Sequence, residues 1–128
     1  MLYRFYDRTV GLSHQRRAAL AILLGALSAL ALPPWHIVPL VVPAFTGLMW
    51  LLDAAAHSPR PLRAATATAW LFGVGYFLVG VHWIVEPFLV NAARHGGLIP
   101  FALASMAGGL ALFPAATGLI TVALARRF

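Results

Sequence analysis

The sequence predicts an all-helical integral membrane protein of four transmembrane helices, with the N- and C-termini cytoplasmic. Three observations carry that expectation. Of 128 residues, 62% are apolar and only 9% charged, whereas a soluble domain is about half apolar and about a quarter charged. So few polar groups cannot cover so much apolar surface, so lipid must be the solvent for part of the chain. The apolar residues gather into four runs, and every formal charge except Glu86 lies outside them. The length suits a single domain at about 100–200 residues each.

The first run, Ala18–Leu32, is closed by Pro33-Pro34-Trp35 and predicts a helix over about 18–34. The second, Ile37–Leu52, is closed by Asp53 and predicts a helix over about 37–52. Each run holds about 15–16 residues, roughly 24 Å of helix, short of a ~30 Å hydrocarbon core. Trp35, Trp50 and a snorkelling Arg17 would help them span, with a re-entrant hairpin as the alternative. The third helix is expected over about 64–90 and the fourth over about 97–125. Both exceed the core thickness, so tilt or kinking is expected, with Pro87 and Pro114 as the kink points. Residues 1–17 form a tail ahead of the membrane domain, 18–128.

Orientation follows from the arginines. With the N-terminus inside, residues 1–17, 53–63 and 126–128 hold eight of the nine arginines, and the outer loops hold only Arg94. That is the bias of the positive-inside rule. A cleaved signal peptide, with Arg16-Arg17 before the first run and Ala29-Leu30-Ala31 as its cleavage site, is the rival reading. Pro33-Pro34 and the apolar remainder argue against it.

The net charge of +6 does not mark a nucleic-acid binder. The arginines lie outside the apolar runs, in the pattern of loop charge that sets topology. Cysteine is absent, which removes disulfides, thiolate metal sites and thiol nucleophiles. His14, His36, His57, His82 and His95 show no metal-ligand spacing, and the carboxylates are Asp7, Asp53 and Glu86 alone. No serine has a positioned base, so no catalytic set, metal site or cofactor is expected.

Glu86 is the single ionisable group in an apolar run, and such a group is by default a functional-site hypothesis. His82 lies one turn earlier and would share its face. The plainer reading is a carboxylate solvated near the outer interface, about 33 Å along the helix from Ala64. Gly73, Tyr76, Phe77, Gly80 and Trp83 recur at helical spacing, and the glycines allow close approach of another helix. Gly73-Val-Gly75 is not a dinucleotide fingerprint, because no strand precedes it. Gly108 and Gly109 are expected to pack in the same way in the last helix.

Taken in order, these features resemble a family. Leu24-Gly-Ala-Leu-Ser-Ala-Leu-Ala-Leu-Pro-Pro34, Trp50-Leu-Leu-Asp53 and Trp70-Leu-Phe-Gly-Val-Gly-Tyr-Phe-Leu-Val-Gly-Val-His-Trp83 are similar to the N-terminal membrane region of apolipoprotein N-acyltransferase. The likeness continues through Glu86-Pro-Phe-Leu-Val90 to Ala-Arg-Arg127, and the glycine/aromatic stretch is its specific element. The resemblance implies the inner membrane of a Gram-negative bacterium and transfer of an acyl chain from a phospholipid to the N-terminal cysteine of a lipoprotein. It also implies eight membrane helices and a nitrilase-like domain carrying a Glu-Lys-Cys triad. With neither Lys nor Cys in these residues, that triad cannot be placed here.

The expectation is therefore the first four membrane helices of a truncated or split acyltransferase, inactive alone. It would be either completed by a separately encoded catalytic remainder or the relic of a broken gene, and its expected partners are membrane phospholipid and lipoprotein substrate. Tyr76, His82, Trp83 and Glu86 are the candidates for lining a lipid path. A small proton-coupled transporter built around Glu86, or a membrane scaffold subunit, are the alternatives.

Overall fold

The computed structural model describes residues 2–128, and among them there is no strand. Eight α-helices follow in order: α1 (Leu2–Val10), α2 (His14–Ala29), α3 (Val41–Ala56), α4 (Pro61–Gly80), α5 (Glu86–Leu89), α6 (Ala92–His95), α7 (Ile99–Leu110) and α8 (Leu112–Ala125). Three stretches are long and apolar enough to cross a membrane: Val38–Ala56, Pro61–Gly80 and Ala92–Ala125. At 16 residues, α2 is about 24 Å long, less than a hydrocarbon core.

The last helix ends at Ala125 as expected, and other boundaries move. The first helix starts at His14 rather than 18, taking Arg16 and Arg17 into its first turn, and ends at Ala29 rather than 34. Residues before a proline are pushed out of the α region, so the chain winds down through short turns ahead of Pro33. Asp53 does not end the second helix, which runs on to Ala56. The third helix begins at Pro61, where a missing N–H costs nothing, and stops at Gly80, ten residues before the expected end at 90. A continuous helix would drive the Pro87 ring into the Trp83 carbonyl. Instead a short 3-10 turn, His82–Val85, intervenes and leaves Pro87 in the first turn of α5. The last column breaks at Ala111, just ahead of Pro114, whose absent N–H would have bonded to Leu110. The tail ahead of the membrane domain carries α1, a helix the sequence reading left out.

The seams between helices are made of small residues. Ala21, Gly25 and Ala29 are buried along α2; Ala65 and Ala69 along α4; Ala107, Ala111, Ala115 and Gly118 along α7 and α8. Leu48, Leu51, Leu52 and Phe72 are buried beside them, but many other large side chains point outward: Phe101 and Phe113 are each 74% exposed and Val42 70%. In water that distribution would be unfavourable, whereas in lipid it removes nothing from its preferred solvent, and close backbone packing drives association.

The closest contact joins α2 to α4. A Cβ on Gly25 would lie 1.9 Å from the Phe72 carbonyl oxygen, and one on Gly75 2.1 Å from that of Ile22. The Leu24 side chain packs on Gly47 of α3, and Gly118 of α8 sits against Ala65 and Ala69. Val122, Ala55 and Ala65 share the core at the end where α2 begins, α3 ends, α4 begins and α8 ends. Arg16, Arg17, Arg60, Arg63, Arg126 and Arg127 therefore gather at one end of the bundle, and Glu86 and Arg94 belong to the other.

These contacts rank the glycines by tolerance. Gly25→Leu or Gly75→Leu is expected to prise α2 from α4, at or above the ~1–3 kcal/mol typical of overpacking. Gly109→Ala, whose Cβ meets nothing within 4 Å, is expected to be neutral or to stabilise by up to about 1 kcal/mol through helix propensity. Thermal melting in detergent, followed by circular dichroism, reads all three, and equal melting would mean the seam is not backbone-tight.

Candidate functional site: an apolar cleft between three helices

Where α3, α4 and α8 diverge from the core, they enclose a cleft of about 370 Å³. Its walls are Phe45 and Met49 from α3, Phe72 and Tyr76 from α4, and Phe113 and Thr117 from α8. The floor is narrow because Gly73 admits the Pro114 ring, which a Cβ would meet at 2.5 Å. Phe45 and Phe72 meet edge to face with ring centroids 5.5 Å apart, and Tyr76 and Phe77 do so at 5.1 Å.

The lining threonines offer the cleft little polarity. Thr117 donates to the Phe113 carbonyl at 3.0 Å and Thr121 to the Thr117 carbonyl at 2.8 Å, each within its own helix. The size falls in the range of small-molecule pockets, and the walls suit a hydrocarbon chain. They supply no nucleophile with a base. Among the described residues, no group of His, Asp or Glu converges to hold a metal.

Of the candidate residues, Tyr76 lines this cleft, and His82, Trp83 and Glu86 do not. Those three follow the end of α4, and Trp83 is 58% exposed. His82 and Glu86 fall in successive short elements, the 3-10 turn His82–Val85 and α5, rather than on one continuous helix. The His82 ring N–H (Nδ1) donates to the Val79 carbonyl at 2.6 Å, closing the end of α4. The same ring lies 5.3 Å from Trp35, tying the α2–α3 loop to the turn after α4.

The glycines divide likewise. Gly73 is tight against α8, Gly80 and Gly108 make ordinary contacts with Leu32 and Trp70, and Gly109 packs against nothing. Gly108 also accepts a 3.0 Å hydrogen bond from the Trp70 indole, which fastens α7 to α4. Gly25 and Gly118, which sequence reasoning passed over, are among the tightest. Their signal was the helical recurrence of small residues, at steps of four through Ala21, Gly25 and Ala29, and of four, four and three through Ala107, Ala111, Ala115 and Gly118.

One polar tie was also missed. The Tyr6 phenol of α1 donates to the Asp53 carboxylate at the end of α3. That hydrogen bond, ahead of desolvation and the charges of Asp53 and Asp7, holds the phenol above its ordinary value near 10. A raised value means the tie is intact below the ordinary phenol range and is lost as pH rises through the raised one. Because the chain has no cysteine, Arg4→Cys accepts a single spin label on α1. Label mobility is expected to stay low through neutral pH and to rise only above about pH 10. Adding Tyr6→Phe should make the label mobile at every pH, and unchanged mobility in that variant would show that the tie does not hold α1.

The bundle and cleft define a membrane protein whose small-residue helices enclose a lipid-sized apolar space. Residues 24–128 match the family model described as the apolipoprotein N-acyltransferase N-terminal domain, and the chain belongs to that family. An apolipoprotein N-acyltransferase of Caulobacter vibrioides is 50% identical over 95 residues, covering 74% of this chain and 18% of that protein. The enzyme of the same name from Rhizobium leguminosarum bv. trifolii is 38% identical over 130 residues, covering 98% of this chain and 24% of its own length. That of Rhodopseudomonas palustris is 42% identical over 101 residues, covering 78% and 19%. The chain thus spans about a quarter or less of the curated relatives it matches. No solved structure matches.

Proposed function

We propose that this chain is the N-terminal membrane portion of an enzyme that transfers an acyl chain from a phospholipid to a lipoprotein, and that it is not catalytic alone. In this reading four helices, α2, α3, α4 and the α6–α8 column, cross the inner membrane of a Gram-negative bacterium, with both termini in the cytoplasm. The observation that carries it is the apolar cleft, about 370 Å³ and walled by Phe45, Phe72, Tyr76 and Phe113, inside a domain whose family moves acyl chains. The cleft would hold or guide a hydrocarbon tail while residues supplied by the remaining three-quarters of the family's length perform the chemistry. Trp83, His82 and Glu86 would stand at the mouth, where the exposed turn after α4 meets the outer interface.

The arginine distribution supports the orientation. An active-site carboxylate for proton-coupled transport is not favoured, since exposed Glu86 falls between the spans Pro61–Gly80 and Ala92–Ala125 rather than within either.

Two experiments test this reading. Fusing alkaline phosphatase after Trp35 should give activity, and after Ser58 should not; cytoplasmic behaviour at both positions would remove α2 as a span. In cells depleted of their own N-acyltransferase, co-expression with the remainder of a relative should restore lipoprotein N-acylation that neither piece gives alone. Gly73→Leu, which narrows the cleft, should lower acylation on the order of tenfold, the effect of about 1.4 kcal/mol on a barrier. Unchanged acylation in a Trp83→Ala/Glu86→Gln variant would remove those two residues from the path.

A further inference from the structure

Two clefts on α4, apart from the one above, meet at Arg63 and Ala67. One, of about 480 Å³ at the arginine end, is lined by His14, Ser58, Arg60 and Arg63. The other, of about 410 Å³, continues between α4 and α8 past Thr66, Trp70, Leu112 and Ala115. Joined, they form a groove with a basic mouth and an apolar floor, and no lining residue is acidic. The floor's polar groups are satisfied locally: Thr66 donates to the Leu62 carbonyl at 2.7 Å and the Trp70 indole to that of Gly108. At the mouth the Ser58 hydroxyl is likewise engaged, with the Ala55 carbonyl at 2.7 Å, so the charge there comes from the two guanidinium groups.

The dimensions fit one leaflet. The ten-residue step from Arg60 to Trp70 rises about 15 Å along the helix, half of a ~30 Å hydrocarbon core. A guanidinium recognises phosphate oxygens through paired hydrogen bonds, and basic pockets between membrane helices suit anionic head groups. We propose that this groove holds one anionic glycerophospholipid of the leaflet on the arginine side, its phosphate on Arg60 and Arg63 and an acyl chain along Thr66 to Trp70. The site shares no lining residue with the apolar cleft, and its occupancy does not depend on acyl transfer.

Trp70 is the reporter. With Trp35→Phe, Trp50→Phe and Trp83→Phe it fluoresces alone, and phosphatidylglycerol or phosphatidylcholine with brominated acyl chains is titrated into neutral detergent. Phosphatidylglycerol is expected to quench at a mole fraction on the order of tenfold lower. Arg60→Gln/Arg63→Gln should abolish that preference. Arg126→Gln/Arg127→Gln removes equal charge from the same end without lining the groove, and should retain it. Equal quenching by the two lipids overturns the proposal. So does an equal loss of preference in both double variants, which would assign the attraction to a general basic surface. Because three tryptophan replacements could disturb the bundle, the unsubstituted chain is also compared by native mass spectrometry for phosphatidylglycerol retained against phosphatidylcholine. No preference there is equally fatal to the proposal.

Discussion

The contact of α2 with α4 is one of backbone with backbone, and most of the architecture depends on it. At Gly25 and Gly75 there is no room for even a methyl group beside the facing carbonyls. A mid-helix glycine costs about 1 kcal/mol relative to alanine, so a favourable term must offset each one. In water that term would be burial of apolar area. In lipid it is dispersion between closely approaching helices, because the tails outside are as apolar as leucine. Once α2 is seated on α4, the Leu24 side chain reaches Gly47, and α3 follows. On its other side α4 receives α8 through Gly73 and Gly118. The fold is therefore organised around α4, with every other long helix seated on it.

Packing through small residues has a second consequence. If alanine and glycine fill the seams, the bulky side chains are left on the periphery. Where three helices diverge, those side chains wall a space instead of filling it. Phe45, Phe72 and Phe113 line the cleft together with the less bulky Gly73, Pro114 and Gly118. An apolar cleft in a membrane bundle thus follows from the same composition that closes the helices, and its occupant must be as apolar as the lipid beyond.

The all-helical class and the presence of apolar spans were legible because composition and periodicity speak directly to solvent and helix. The break near Pro114 was legible because proline acts locally, through its own missing donor. The end of α4 was less so. Pro87 was correctly seen as a helix problem, but the chain resolved it seven residues upstream at Gly80, where breaking the ladder is easiest. That shift carried His82, Trp83 and Glu86 off the helix and away from Tyr76. The identity of the tight glycines was readable in part: Gly73 stood in an aromatic stretch that drew attention, whereas Gly25 was hidden in a Leu/Ala-rich run of low information. The helix α1 was invisible for another reason. Its seat rests on a Tyr6–Asp53 contact between residues 47 apart, and no local pattern announces such a pair.

The two ends of the bundle differ in kind, and the difference follows from where charge is affordable. At one end α2, α4 and α8 begin or end within a turn of arginine pairs, and the carboxylate there is engaged by Tyr6 and by the nearby His57 ring at 3.8 Å. That end is fixed by polar interactions on regular helices. At the other end the chain from Val81 to Leu98 is a series of single turns with no buried residue, fastened by the His82 cap and the Trp35–His82 contact. Regular helix stops there because prolines and glycines interrupt it, and Trp83, Leu89 and Val90 are left exposed. Loosely held segments with exposed apolar side chains are where a domain meets what it must accommodate, whether lipid or the rest of a larger enzyme. The arginine end is held by polar ties between regular helices, and the irregular end by a ring contact and a helix cap.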